Sequence, residues 1–264
     1  MQMITTRKNG FTLIELSIVL TVIGLIVGGV MSGQSLIHAA RIRQIYTQSA
    51  EYIQAINTFK DKYDALPGDM ADATSHWGAA DPDPVVCLTT DNNDKTTCNG
   101  TGNGIVNNTV GDSYEMALVW KHLANDGMIK GKYTGIGGPM GEHHGIPGVN
   151  IPRWKGRAGF TLFYVDPSDG TGQFFIGDSL GHVIYFGRED RFGGQARRVI
   201  ISAADAYAID TKIDDGSPGN GNLRTFQFTA QTNCVTTDDP ATSIYAVTTS
   251  TKANACMLIF LTGF

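Results

Sequence analysis

The chain has 264 residues, 20 of them basic and 25 acidic, for a formal charge of −5 at pH 7. Its length suits one large domain or two small ones, and one elaborated head is the simpler expectation. The acidic balance argues against a broad basic surface, so no nucleic-acid partner is expected.

The first ten residues form a short polar leader with two positive charges, Arg7 and Lys8, which favour a cytoplasmic N-terminus. Beyond them, the 25 residues from Leu16 to Ala40 contain no Asp, Glu, Lys or Arg. At about 1.5 Å per residue, such a helix crosses a hydrocarbon core of roughly 30 Å. No small-residue cleavage site follows a short apolar region, so the helix is expected to be retained. Glu15 is the anomaly. A carboxylate in lipid costs a few kcal/mol unless it is interfacial, protonated or paired.

The run Lys8-Asn9-Gly10-Phe11-Thr12-Leu13-Ile14-Glu15-Leu16 resembles the type III signal of type IV pilins and type II secretion pseudopilins. The resemblance implies cleavage between Gly10 and Phe11 by a prepilin peptidase, followed by N-methylation of Phe11. It also implies that Glu15 pairs with the new amine of a neighbouring subunit and sets axial register during fibre growth. Opposite charges in a low-dielectric setting attract strongly, which agrees with that role. The competing explanation is an interfacial acid that stabilises its own helix N-terminus. Loss of the leader takes the basic residues from 20 to 18 and the charge from −5 to −7.

Gly24/Gly28 and Gly29/Gly33 form two small-xxx-small spacings that let helices approach closely. They also weaken the helix. Family fibres commonly lose helicity near a proline here, yet this chain has none between Phe11 and Leu66. From Ala40 onward, Ile42, Ile45, Tyr52, Ile53, Ile56, Phe59 and Tyr63 recur at helical spacings between polar residues, predicting a continuous amphipathic extension. Pro67-Gly68 should end it. The segment Tyr63-Asp64-Ala65-Leu66-Pro67-Gly68-Asp69 is similar to the helix exit of many pilin-like proteins.

Residues 68–113 are rich in Asp, Asn, Thr, Gly and Pro and read as a long loop region without the ligand spacing of an EF-hand. The glycine-rich runs 100–104 and 135–141 do not sit between a strand and a helix, so neither is a phosphate-binding loop. The four cysteines lie beyond the apolar helix, as expected in an oxidising compartment. Three pairings are possible. The local one, Cys87–Cys98 with Cys234–Cys256, closes the shortest loops, and neither pair has zinc-knuckle spacing.

Met116, Ala117, Val119, Trp120 and Leu123 predict an apolar stripe on a second helix ending at Asn125-Asp126-Gly127. His143 and His144 are expected to be surface loop residues. Five β-rich runs follow: 160–165, 173–176, 182–186, 224–229 and 256–261. An antiparallel sheet is their natural arrangement. Residues 202–210 predict a short helix capped by Ser202. No cofactor is expected, although Asp210, Asp214 and Asp215 are weak calcium candidates, as some pseudopilins bind calcium in a C-terminal loop. Turn and cap roles are the simpler explanation of those residues.

The expected organisation is thus a leader (1–10), a transmembrane and assembly half-helix (11–40), an amphipathic half-helix (41–66) and an extracytoplasmic head (67–264). The fold class is α+β, a long N-terminal helix on an antiparallel sheet. No catalytic constellation can be defended, so an enzyme is not expected. The resemblance implies a structural subunit of a type IV pilus or secretion pseudopilus. Its expected partners are other pilin-like subunits, the prepilin peptidase, the inner membrane and an assembly platform. The large head suggests a minor subunit, although a tip subunit of the secretion pseudopilus typically lacks the acid that Glu15 represents. The alternative is an unprocessed, membrane-tethered binding protein or enzyme.

Overall fold

The computed structural model describes residues 10–90, 94–106, 115–141, 143–165, 181–225, 233–237, 239, 241–250 and 252–264. The leader before Gly10 and the β-rich run 173–176 fall outside them. The chain divides into two units, Met1–Gln44 and Ile45–Phe264.

In the first unit one helix, α1 (Leu13–Tyr63), begins and then runs on into the second. It is the one helix among the described residues long and apolar enough to cross a membrane. Large apolar side chains from Leu13 through Ile37 are exposed. Exposed apolar surface on this scale marks a segment that meets lipid or other helices. Ser17 and Thr21 donate their hydroxyls to the carbonyls of Ile14 and Ile18, which satisfies both hydroxyls without water.

The second unit is α+β. Along α1, Ile45, Ile56 and Phe59 are fully buried, at the spacing the sequence predicts. The helix ends with Asp64 in the left-handed region, its N–H returning to Lys60 O. Short helices α2 (Ala73–Trp77) and α3 (Pro84–Cys87) follow, in the stretch expected to be loop throughout. In α3, Asp83 accepts from Val85 N and Val86 N with Pro84 at the first turn, a complete start signal of which proline supplied half. Then come α4 (Glu115–Asn125), β1 (Ala158–Val165), β2 (Gly181–Asp190), β3 (Gly194–Arg198), α5 (Ala203–Ile213), β4 (Leu223–Thr225) and β5 (Leu258–Leu261).

The five strands form one antiparallel sheet in the order β1-β2-β5-β4, with β3 paired to the far end of β2. Register runs from Ala158 opposite Arg188 to Val165 opposite Gly181. Successive side chains alternate faces, so Phe160, Leu162, Ile184, Phe186 and Phe260 share one face. Tyr52 of α1 meets Phe160 there edge-on at 5.1 Å and Trp120 of α4 at 5.2 Å. On the other face Phe163, Val165, Val183, Tyr185, Met257 and Ile259 make a second core cluster. Both faces are buried, which explains why β1 and β2 read as nearly continuous apolar runs.

Of the run expected as a strand at 224–229, the described part belongs to β4, which begins one residue earlier, at Leu223; residues 226–229 lie outside the described residues. The run at 256–261 is strand only from Leu258, because Cys256 is held in a bridge to Ile201 instead. β3, Gly-Gln-Ala-Arg-Arg, carried no β signal, and pairing with β2 overrides its low propensity.

Candidate functional site

At the N-terminus the helix starts in a capping box. Thr12 Oγ1 accepts from Glu15 N at 3.2 Å, and Glu15 Oε2 accepts from both Thr12 N and Thr12 Oγ1 at 2.8 Å. Thr-x-x-Glu is the sequence form of that reciprocal motif, and it gives Glu15 the helix-start role set out as the competing explanation. Glu15 therefore stabilises its own helix start through Oε2. Among the described residues Oε1 makes no bond, so one oxygen is free for a second partner. Gly10 and Phe11 are exposed, just ahead of Thr12.

A Cβ added at Gly24, Gly28, Gly29 or Gly33 would meet nothing within 4 Å. These glycines keep an open surface on the helix, which is the condition for close approach by another helix.

In the head, the turn that follows α1 is built around Asp69 and α4. Gly68 has φ +90°, and a Cβ there would lie 2.5 Å from Glu115 O. A Cβ on Gly100 would lie 2.2 Å from Gly68 O. Asp69 is buried and accepts from Asn103 N, Gly104 N and Thr101 Oγ1. Glu115 accepts from Thr101 N and Thr101 Oγ1. The run 100–104 thus wraps a carboxylate of its own chain, which accounts for its glycines without a phosphate ligand.

Helix α4 departs from the expected stripe, because every residue from Glu115 to Leu123 is buried. The apolar side chains, Trp120 among them, are core as expected. The polar ones are buried with partners: Lys121 Nζ donates to Asp94 O, and His122 Nδ1 accepts from Gly68 N at 2.9 Å. His122 Nε2 lies 3.1 Å from Thr97 Oγ1 and 3.3 Å from Cys98 O. Burial lowers its pKa to about 4, so the imidazole is neutral and can accept from the turn. No sequence signal marked His122, since a histidine between apolar residues is ambiguous.

The disulfides join Cys87 to Cys98 and Cys234 to Cys256, with Cα separations of 5.8 and 4.9 Å. The first lies against Leu118 of α4. The second ties Cys256, two residues ahead of β5, to Cys234 beside Val235, whose bridge to Tyr245 continues the fold.

His144 corrects the expectation of surface histidines. It is 4% exposed, and its Nε2 lies 3.2 Å from Glu189 Oε1, while Arg157 holds the other carboxylate oxygen at 2.8 Å. The loop folds back on β2 because Asn150 spans it, donating to Ile136 O and His144 O and accepting from Ile146 N.

Asp210, Asp214 and Asp215 do come together, each offering one oxygen within 4.8 Å of the others. Ser202 caps α5 by accepting from Asp205 N, and the helix runs three residues further than expected, to Ile213. Asp214 accepts from Asn222 N and Leu223 N, and Asp215 from Ser217 N. Asp210 accepts from Gly216 N and from Tyr245 Oη at 2.7 Å. These are the bonds of a capped turn. Burial, with Asp215 and Asp214 adding to it against the Tyr245 and Gly216 bonds, pushes Asp210 up to about 6. Three oxygens are fewer than calcium's usual six to eight, so carbonyls or water would have to complete a site.

No curated protein and no solved structure gave a match to the chain. One family description does match, the prokaryotic N-terminal methylation motif, over residues 5–31. Those residues include Gly10, Phe11, the Thr12–Glu15 capping box and the first exposed turns of α1. The chain therefore carries, at the start of its long apolar helix, the methylation motif that is the signature of type IV pilins and pseudopilins.

Proposed function

We propose that the protein is a pilin-like structural subunit, cleaved between Gly10 and Phe11, methylated on Phe11, and assembled through α1 into a type IV pilus or type II secretion pseudopilus. Before assembly it sits in the inner membrane by a single pass, with the head in the periplasm. The prepilin peptidase, other pilin-like subunits and an assembly platform are its partners. The size of the head favours a minor subunit.

The observation that carries this reading is the methylation motif running directly into an apolar helix whose side chains from Leu13 to Ile37 are exposed. Lipid covers that surface in the precursor, and neighbouring helices cover it in a fibre. At Glu15 the two explanations of the acid become compatible. Oε2 holds the helix start, and Oε1 faces the amine that cleavage would create on a neighbouring Phe11. The experiment is mass measurement of the N-terminus from membranes with and without the peptidase. A methylated Phe11 start only when the peptidase is present is the expected result. A chain that keeps residues 1–10 in both would make it a tether rather than a fibre subunit.

A further inference from the structure

The head is acidic overall, yet arginines gather at one place on it. Arg157 lies just before β1, Arg188 near the end of β2, Arg191 in the turn that follows it, and Arg198 at the end of β3. Together with Glu189, Asp190 and Phe192 they line a concavity of about 500 Å³. The sheet brings them together, because β2 and β3 pair through Arg188 opposite Arg198, and the β2–β3 turn carries Arg191 and Phe192.

The two acids of this corner are already committed. Glu189 is held by Arg157 and His144, and Asp190 by Arg197 and Arg198, with Asp190 Oδ1 also accepting from Phe192 N. These pairs fix the floor and leave positive charge in excess. Arg188 and Arg191 are exposed and, among the described residues, paired with no carboxylate. Phe192 is 85% exposed, with the Arg198 guanidinium over its ring at 5.6 Å. The ring is thus open to solvent, set against one guanidinium and lining the same concavity as Arg188 and Arg191, which is an arrangement of π-face and cations that suits a base and its phosphates.

We propose that this corner of the head binds single-stranded nucleic acid, with Phe192 stacking on a base and Arg188 and Arg191 holding the flanking phosphates. Guanidinium forks match phosphate oxygens in pairs, and base stacking on an aromatic needs only an open π-face. A duplex hides its bases and would leave Phe192 unused. A bilayer surface is flat and favours Trp and Tyr anchors, whereas the arginines here surround a concavity. The acidic net charge that argued against nucleic acid averages over the chain and hides this corner. The inference does not rest on fibre assembly, since the corner lies wholly within the head.

The test is fluorescence anisotropy of a labelled oligothymidylate with the detergent-solubilised full chain, titrated at several salt concentrations. Binding that weakens steeply with salt is expected. Arg188→Ala with Arg191→Ala should weaken it by about tenfold or more and flatten the salt dependence. Phe192→Ala should weaken it by about tenfold at unchanged salt dependence, as loss of one stacked base does. Arg188→Lys with Arg191→Lys should keep the salt dependence and recover part of the affinity. Unchanged thermal unfolding of each variant keeps the comparison free of misfolding. No binding by the wild type overturns the proposal. So does equal binding of inorganic polyphosphate with no effect of Phe192→Ala, which would make the corner a general polyanion site. Binding to phosphatidylserine vesicles but not to the oligonucleotide overturns it in favour of a membrane surface.

Discussion

The glycines of the N-terminal segment and those of the head stand in opposite surroundings. Gly24, Gly28, Gly29 and Gly33 have open space where a side chain would be, whereas Gly68 and Gly100 are pressed against backbone of their own chain. The same contrast holds for apolar residues: exposed from Leu13 to Ile37, buried at Ile45, Ile56 and Phe59. The head satisfies itself. Among the described residues nothing covers the N-terminal segment, and exposed apolar surface with open glycines suits contact with lipid or another helix.

Gly100→Ala is the sharpest way to break the contrast. The new methyl carbon would lie within 2.5 Å of three backbone atoms of Gly68 and Asp69. Backbone must shift, and the Asp69 cradle with it. We expect a loss of about 3 kcal/mol or more, at the upper end of overpacking costs, seen as a lower denaturant midpoint. Gly28→Ala should leave the head's midpoint unchanged and lower the fraction of subunits in sheared fibres. An equal loss of head stability in both variants would show that the two sets of glycines do not differ.

Two buried groups give the head opposite pH dependences. His122 has its pKa lowered from 6.5 to about 4, so between these values the unfolded chain binds more protons and stability rises with pH. Asp210 has its pKa raised from 3.8 to about 6, so over that range the folded chain binds more protons and stability falls as pH rises. The two contributions have opposite sign, so in the wild type they oppose each other between about pH 4 and 6. Asp210→Asn removes the falling part, so unfolding midpoints followed from pH 4 to 6 should rise clearly with pH. A flat profile in that variant would contradict the assignment. Calcium bound at Asp210, Asp214 and Asp215 would pull Asp210 down, so the same titration with calcium and with chelator reads whether the cluster takes the ion.

The disulfides sharpen the comparison within the head. Breaking either should cost about 2–4 kcal/mol. Cys234–Cys256 closes a separation of 22 residues against 11 for Cys87–Cys98. On loop entropy alone, the serine pair at 234 and 256 should be the less stable by about 0.6 kcal/mol. Denaturant titration of the two double variants checks both the size and the order.

Legibility in the sequence followed range of interaction. The long helix ends at Tyr63, with Asp64 in the left-handed region, three residues short of the expected boundary at 66 before Pro67-Gly68. That helix itself, the Ser202 cap and the strands β1 and β2 depend on local pattern, and all were readable. His122, Asp69 and His144 were not. Each is a polar residue whose role is set by partners 32 to 54 residues away, Thr101, Asn103 and Gly104 for Asp69, Gly68 for His122 and Glu189 for His144. β3 escaped for the same reason, since only its pairing with β2 makes it a strand. The arginine corner shows the limit of composition. Net charge is a sum over the chain, whereas a site depends on which charges the sheet places side by side.

Glu15 is where the two regions should differ most in kind, because a change there should have the smallest effect on folding of the head. The capping box uses the side-chain oxygen as an acceptor, and glutamine offers the same acceptor at the same reach. The proposed contact with a neighbour's amine needs the negative charge, which glutamine lacks. Glu15→Gln therefore separates two roles that Glu15→Ala removes together. If the acid serves only its own helix, glutamine should behave as wild type and alanine should fray the first turn. If it pairs with the neighbouring Phe11, glutamine and alanine should lower incorporation alike. Cross-linking in sheared fibre and membrane fractions, compared among wild type and both variants, reads the difference, with insertion, disulfides and head midpoint unchanged. Because neighbours that keep their own acids can carry a minor subunit, the expected result is a reduced fraction incorporated rather than none. Wild-type incorporation of Glu15→Gln would limit Glu15 to the capping box.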